Sequence, residues 1–164
     1  MSSGEPIRAL LTTHFGDACV RQMDYGHGGF HLRLTMENEQ CRELAEVLYN
    51  NDYYLEYLTA VDRLDHLELI YVFGRYEVLH RIQAVVRVPK GEKVMSISQV
   101  FLAADWHERE VYDLFGQVFT DHPNLKRILL PEDADYYPLL KDFRAPPRLG
   151  GDTGPRRQLG PQKP

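Results

Sequence analysis

Two successive runs of alternating apolar residues constrain the fold of this chain more than any other feature. The first run is Leu67, Leu69, Tyr71 and Phe73, and the second is Ile82, Ala84, Val86 and Val88. Side chains alternate between the two faces of a β-strand, so each run predicts a strand with one buried face. Pro89-Lys90-Gly91 ends the second strand. Other elements must therefore cover one face of a β-sheet.

The first third of the chain predicts a helix followed by a pair of strands. Pro6 suits the first turn of a helix and Gly16 its end, and the apolar residues between them recur at helical spacing. Two strands are predicted at residues 19–25 and 30–34. The segment Gly26-His27-Gly28-Gly29 between them is typical of a hairpin turn.

A second helix and three strands complete the scaffold. Thr35 can cap the helix, whose apolar stripe is Cys41, Leu44, Ala45 and Leu48. The three strands are predicted near residues 54–62, 67–75 and 80–88. Hairpins of antiparallel type with segregated helices favour an α+β fold, a two-layer sandwich. Its order is helix, two strands, helix, three strands, then a further helix and an extended C-terminal arm.

Composition narrows the class of protein. A chain of 164 residues with 43% hydrophobic content can bury one substantial core. It has no apolar run long enough to cross a bilayer and its first residues lack an export-signal pattern, so a soluble, cytoplasmic protein is expected. Two cysteines without a CxxC motif argue against a disulfide framework or a metal centre. The net charge of −5 argues against nucleic-acid binding.

The predicted domain covers residues 1–143, and residues 144–164 form a basic tail rich in proline and glycine. The tail holds five basic residues against one acid, Asp152, and no aromatic residue. Such a segment cannot bury enough apolar surface to fold alone. It is either a solvated end or an arm that becomes ordered along an acidic partner.

A charge-dense segment follows the scaffold. Ser96 and Gln99 have the spacing of a capping box, apolar residues recur at helical spacing from Ile97 to Phe115, and Gly116 can end the helix. Glu108 falls on this apolar stripe. A buried carboxylate is costly unless it is paired.

Two arrangements of Glu108 stay open. In a continuous helix Glu108 is buried and needs a partner, for which Arg127 or a strand arginine is better placed than Arg109. Alternatively, the helix breaks near Asp105 and Glu108 is exposed.

The opposite face of the same helix carries Trp106, Glu110 and Asp113, flanked by Arg109. Trp and Arg dominate the energetics of protein–protein interfaces, so this face is a candidate docking surface. The alternative is that a loop of the same chain, within residues 117–131, covers Trp106.

Motifs for several kinds of catalysis are incomplete. His107-Glu108 begins a zinc-protease motif, but Val111 occupies the position of its second histidine. The glycine-rich turn at residues 26–29 is not accompanied by a GxSxG nucleophile motif. The sequence contains neither a P-loop nor GxGxxG. His122, next to Pro123, is expected to make a structural hydrogen bond rather than to act as an acid or base.

The segment EREVYDLFGQVFTDHPNLKRI, residues 108–128, resembles the signature of the C-type subunit, the 30 kDa subunit family, of proton-pumping NADH:quinone oxidoreductase, respiratory complex I. The resemblance rests on Glu108-Arg109-Glu110, Asp113, His122 and Lys126-Arg127 at fixed spacing, and continues through ILLPED at 128–133 and PLLKDF at 138–143. A match of this length is far more specific than a short motif.

The resemblance implies a two-layer α/β fold and a role as a non-catalytic subunit of the peripheral arm, at the cytoplasmic side of the membrane. It implies that the D-type subunit of the complex and the subunit with the terminal iron–sulfur cluster are partners. FMN, the iron–sulfur clusters and quinone would be held by partner subunits, and none by this chain. The implied interface or structural positions, together with Trp106, are Glu108, Arg109, Glu110, Asp113, His122, Lys126, Arg127, Lys141 and Asp142.

The downstream end departs from the family pattern. Ala134 and Asp135 follow Glu132-Asp133 where the family usually has a tryptophan, and Leu140 replaces the usual arginine. Related subunits occur in membrane-bound hydrogenases and in complexes that oxidise ferredoxin or other donors, so such a complex is an alternative. A stand-alone protein-binding module is a third reading.

Overall fold

The computed structural model describes residues 5–144. Four helices and seven strands are present in this part of the chain. They are α1 (Glu5–Phe15), β1 (Val20–Gln22), α2 (Tyr25–Gly28), β2 (Leu32–Glu37), α3 (Cys41–Tyr49), β3 (Tyr53–Asp62), β4 (His66–Arg75), β5 (Arg81–Pro89), β6 (Val94–Met95), α4 (Ala104–Phe115) and β7 (Phe119–Thr120). The tail predicted at residues 144–164 lies, from residue 145 onward, outside the described residues.

Five strands form one sheet in the order β1-β2-β5-β4-β3. Strands β3, β4 and β5 pair antiparallel as successive hairpins, and β1 pairs antiparallel with β2. The pair β2–β5 is parallel, with Leu32 opposite Ile82. The sheet is therefore mixed. The hairpins expected from the sequence are antiparallel, whereas the parallel pairing of β2 with β5 was not predicted.

One face of the sheet carries the core. The alternating residues of β4 and β5 are all buried, as the sequence predicted, and directly opposed residues such as Tyr71 and Ala84 share this face. A register shift between Leu55 and Tyr57 in β3 lets Leu55 and Leu58 both face inward. Residues of α1, α3 and α4 join the same apolar cluster. The fold is thus an α+β sheet covered by helices.

Local boundaries differ from the prediction in two places. Thr35 does not cap α3, because β2 continues its alternation to Met36 and a short 3₁₀ turn at Asn38–Gln40 precedes the helix. The glycine-rich turn between β1 and β2 closes as a single helical turn, which the Asp24 side chain caps by accepting a hydrogen bond from the Gly26 N–H. The buried stripe of α3 is as predicted.

The segment before α4 is also different. Residues 96–103 are not part of the helix, which begins at Ala104. Ser96 follows β6, and β6 pairs in parallel with β7 to form a second, two-stranded sheet that the sequence did not reveal. Residues 121–144 contain neither helix nor strand. They run past α4 to the end of β3 and are called the C-terminal arm below.

Candidate docking site

Helix α4 presents three faces with different roles. Gly116 ends it in a left-handed conformation, with φ of 77°, and its N–H donates to the carbonyl oxygen of Tyr112. Glu108 and Asp113 are both fully buried, whereas Trp106 and Glu110 are exposed. The two buried carboxylates bind different segments of the chain.

Glu108 binds the segment that leads from β6 into α4. Its Oε2 accepts a hydrogen bond of 2.6 Å from the Ser96 hydroxyl, and its Oε1 accepts one of 2.8 Å from the Ile97 N–H. Burial raises the pKa of Glu108 to about 7, and the nearby Asp105 adds to the rise, although both hydrogen bonds oppose it. The prediction that Glu108 is buried is confirmed, and the alternative of an exposed Glu108 is wrong.

The predicted arginine partner of Glu108 is wrong. Its polar partners are a hydroxyl and a backbone N–H, and the nearest basic group in the described part of the chain is His122, 3.9 Å away. Arg127 instead binds Asp113. The helical spacing placed Glu108 correctly, but it carried no information about the segment folded against it.

Asp113 does not share the exposed face with Trp106, and that expectation is corrected by its complete burial. Its Oδ2 accepts hydrogen bonds from the N–H groups of Ile128, Leu129 and Leu130, at 2.7–3.0 Å. Its Oδ1 accepts one of 2.7 Å from the Arg127 guanidinium. Burial alone would raise the pKa of Asp113, but these donors lower it to about 2. Asp113 is therefore the anchor of the arm.

Arg127 binds both α4 and a later segment of the arm. Besides Asp113, its guanidinium donates to the carbonyl oxygen of Tyr136 at 3.4 Å. It also lies over the ring of Tyr137, 5.1 Å from the centroid. A planar, permanently charged group suits three simultaneous contacts of this kind.

A third buried carboxylate, Asp62 at the end of β3, was missed by sequence reasoning. Its side chain accepts hydrogen bonds from the N–H groups of Lys141 at 2.9 Å and Leu64 at 2.8 Å, and it lies 3.3 Å from the Lys90 ammonium. Burial opposes ionisation, but these donors lower its pKa. A single acidic residue ending a strand gives no sequence signal for a partner 79 positions away.

Replacing Asp62 with alanine should release the distal end of the arm. The Lys141 N–H would lose a charged acceptor, a bond worth about 1.5–3 kcal/mol. Hydrogen exchange of the Lys141 amide should therefore quicken roughly ten- to a hundredfold. Asp65→Ala is the control, since Asp65 is an exposed carboxylate in the adjacent turn. Equal exchange rates in the two variants would show that Asp62 does not hold the arm.

Trp106 projects from α4 and is 63% exposed. The alternative that residues 117–131 cover it is therefore wrong. Arg109 lies over its ring, 5.1 Å from the centroid, and donates to the carbonyl oxygen of Lys126 at 3.2 Å. The preceding Leu102 is 88% exposed. Leu102 and Trp106 thus expose apolar surface at the start of α4, beside an arginine whose side chain is held by a hydrogen bond.

The remaining predicted positions lie on the arm. His122 Nδ1 accepts from the Asn124 N–H at 3.0 Å, which leaves the proton on Nε2 facing the carbonyl oxygen of Asp105 at 3.2 Å. This is the structural role expected for His122. Lys126, Lys141 and Asp142 are exposed. Their predicted place in an interface stays a prediction.

Two kinds of site are absent from the described range. Among residues 5–144, no group of three or more His, Cys, Asp or Glu side chains is arranged to hold a metal ion. No helix in the same range has the length and apolar character needed to cross a membrane.

Comparison with known proteins identifies the family. A model of the family described as "Respiratory-chain NADH dehydrogenase, 30 Kd subunit" matches residues 34–148. The chain belongs to this family. The matched range runs from within β2 through β7 and includes the whole described part of the C-terminal arm. Both buried acids of α4 and the exposed Trp106 therefore lie within the family's own region.

Two curated relatives are both named as the C-type subunit of NADH-quinone oxidoreductase. The relative from Chloroherpeton thalassium is 40% identical over 82% of this chain and 58% of its own length. The relative from Roseiflexus castenholzii is 42% identical, over 83% of this chain and 81% of its own length. The chain thus spans less than two thirds of the Chloroherpeton relative.

A solved structure has the same fold. It is a chain in the structure of the membrane-bound sulfane sulfur reductase, an archaeal respiratory membrane complex. The TM-score is 0.73 at 20% identity, and the match covers 87% of this chain and 86% of that one. At this identity the likeness supports the fold and nothing finer.

Proposed function

We propose that this chain is a non-catalytic peripheral-arm subunit of a proton-translocating NADH:quinone oxidoreductase. Its role is to hold the subunits of the quinone site and the terminal iron–sulfur cluster in fixed positions. The observation that carries the proposal is the exposed Trp106 on a helix whose two buried acids, Glu108 and Asp113, bind the flanking segments. Exposed Trp and Arg on a rigid element are characteristic of interface hot spots.

Rigidity is the physical contribution of such a subunit. Electron transfer between clusters and quinone depends steeply on the placement of the groups, so a small displacement is costly. Asp113 holds the arm at residues 128–130 and Asp62 holds it near its far end at Lys141, 2.7–3.0 Å from backbone N–H groups. The arm and α4 then present one fixed surface to a partner.

The partners we propose are the D-type subunit and the subunit with the terminal cluster. FMN, the iron–sulfur clusters and quinone belong to partner subunits in this proposal. The chain would lie at the cytoplasmic side of the membrane and reach the membrane only through the complex. The contact surface would include Trp106, Arg109 and Glu110 on α4, and Lys126, Lys141 and Asp142 on the arm.

A related complex with another electron donor is the second candidate. It is favoured by the departures from the family pattern at Ala134 and Leu140. The purified complex distinguishes the two, since NADH oxidation coupled to quinone supports the first, and oxidation of reduced ferredoxin or hydrogen supports the second. A chain that purifies as a monomer, without cluster-bearing or membrane subunits, would instead indicate a stand-alone binding module.

Trp106→Ala is expected to weaken assembly far more than folding. Loss of an interface tryptophan costs about 2 kcal/mol or more, so partner binding should fall roughly thirtyfold. The isolated chain should keep its melting temperature, because the side chain is largely in water. The measurement is the fraction of the chain found in the assembled complex, in cells that carry the variant as their sole copy.

Two further variants sharpen this test. Glu110→Lys reverses a charge on the same exposed face and should also lower assembly. Leu64→Ala is the matched control, since Leu64 is 62% exposed in the turn between β3 and β4. Equal losses of assembly and of isolated-chain stability in Trp106→Ala would contradict a docking role for this face.

A further inference from the structure

Glu108 belongs to a short series of hydrogen-bonded polar groups that is buried inside the apolar core. Its Oε2 and the Ser96 Oγ are 2.6 Å apart, and the Ser96 Oγ lies 2.7 Å from the Ser98 Oγ. The Ser98 N–H also donates to the Ser96 Oγ at 3.1 Å. Glu108, Ser96 and Ser98 are all buried. A charged carboxylate without a cationic partner is unusual in such a position.

This chain of hydroxyl groups can satisfy either protonation state of Glu108. With an ionised carboxylate, Ser98 donates to Ser96 and Ser96 donates to Oε2. With a protonated carboxyl group, Oε2–H donates to Ser96 and Ser96 donates to Ser98. The Ile97 N–H donates to Oε1 in both states. One proton therefore enters or leaves, and the hydrogen bonds reverse direction without any being lost.

The groups around Glu108 disfavour the ionised state of its carboxyl group. Asp105 stands on the same helix, and its charge acts against that of Glu108. From the neighbouring loop, His122 presents Nε2 at 3.9 Å from Oε2, with its proton directed to the carbonyl oxygen of Asp105. Cys41 of α3 and Tyr71 of β4 face the carboxyl group as neutral groups, since burial raises the pKa of both.

We propose that Glu108, Ser96 and Ser98 form a buried proton-binding site, which takes up or releases one proton while the segment at residues 96–98 stays bound to α4. The segment leads directly to Leu102 and the first turn of α4, so the site joins this helix to the segment that precedes it. The inference concerns the chain alone and does not depend on the proposed docking role.

The direction of the pH dependence follows from burial. The pKa of Glu108 in the folded chain is about 7, above the ordinary value of 4.5. The folded state therefore binds this proton more tightly than the unfolded state does. The stabilisation is complete below pH 4.5 and is lost as the pH rises toward 7, above which it no longer changes.

Urea unfolding of the isolated chain between pH 5 and 8 tests the proton-binding site in the wild type and in Glu108→Gln. Glutamine keeps an acceptor for Ile97 and a donor for Ser96 but cannot titrate. The equilibrium constant for folding should fall in the wild type by up to about tenfold per pH unit between pH 5 and 7, relative to Glu108→Gln. Glu110→Gln, an exposed site on the same helix, should keep the wild-type pH dependence.

An NMR titration gives a second readout that does not rely on a variant. The Ile97 amide shift and the Glu108 carboxyl carbon shift of the wild type should titrate together, with a midpoint near pH 7. A midpoint below pH 5 would overturn the proposal. So would a Glu108→Gln variant that keeps the wild-type pH dependence. If Glu108→Gln does not fold, the carboxyl titration of the wild type decides alone.

Discussion

Asp113→Ala is expected to lower the free energy of unfolding by about 3–5 kcal/mol, the range for removing one partner of a buried ion pair. Asp113 and Arg127 are joined at 2.7 Å, with side-chain exposures of 0% and 9%. The substitution leaves the Arg127 charge without its carboxylate. It also removes the acceptor of three backbone N–H groups, at residues 128–130. Urea unfolding of the isolated chain at neutral pH measures the loss.

Two variants separate the charge of Asp113 from its shape. Asp113→Asn keeps one oxygen but turns an amide N–H₂ toward N–H donors, so it should recover only part of the stability. Asp135→Ala removes an exposed carboxylate of the arm and should cost less than about 0.5 kcal/mol. If Asp113→Ala costs no more than Asp135→Ala, Asp113 is not the anchor of the arm.

Lowering the pH should destabilise the folded chain in the same direction as Asp113→Ala does. Because the folded-state pKa of Asp113 is about 2, below the ordinary value of 3.8, the folded state binds this proton more weakly than the unfolded state. The stabilisation is present above pH 3.8 and is lost as the pH falls toward 2. Asp113 and Glu108 therefore give pH dependences of opposite sign in different pH ranges.

The scaffold could be predicted from the sequence because its signals are local. The alternation in β4 and β5 and the stripe of α3 report burial directly, since side-chain direction follows backbone periodicity. The parallel pairing of β2 with β5 was missed, because strand order depends on contacts between distant segments. The alternation does not distinguish a parallel neighbour from an antiparallel one.

The candidate site was predicted only in part, for the same reason. Helical spacing placed Glu108 in the core and Trp106 outside it. Most partners of the buried acids are backbone N–H groups, such as those at residues 97, 128–130 and 141, which any residue other than proline can supply. The residue types at these positions therefore do not indicate that their N–H groups bind a buried acid. Arg127 was therefore assigned to the wrong carboxylate.

The buried charges that hold the C-terminal arm follow from its irregular backbone. An arm without helix or strand has many backbone N–H groups that need acceptors. Asp113 and Asp62 supply them at two points, and Arg127 supplies the cation and a carbonyl contact. Acidic residues on a helix and at the end of a strand can thus hold an irregular chain segment in place.

Gly116→Ala is expected to displace the arm at a third point. Gly116 adopts φ of 77°, where an added Cβ costs about 1–2 kcal/mol. That Cβ would also lie 2.8 Å from Cε2 of Tyr137, closer than real contacts allow. Tyr137 must then move, and with it the ring on which Arg127 lies. The unfolding free energy should fall by more than about 2 kcal/mol.

Gly91→Ala is the matched control for Gly116→Ala. Gly91 has φ of 89°, but a Cβ there meets nothing within 4 Å, so its substitution carries the backbone cost alone. The excess loss in Gly116→Ala over Gly91→Ala measures the steric conflict with Tyr137. In the Tyr137→Ala background that excess should disappear, because the ring is absent.

Faster exchange of the Leu139 amide, which donates to the carbonyl oxygen of Leu114 at 3.2 Å, should accompany Gly116→Ala only. Equal stability losses at the two glycines would mean that the arm accommodates the added methyl group without moving.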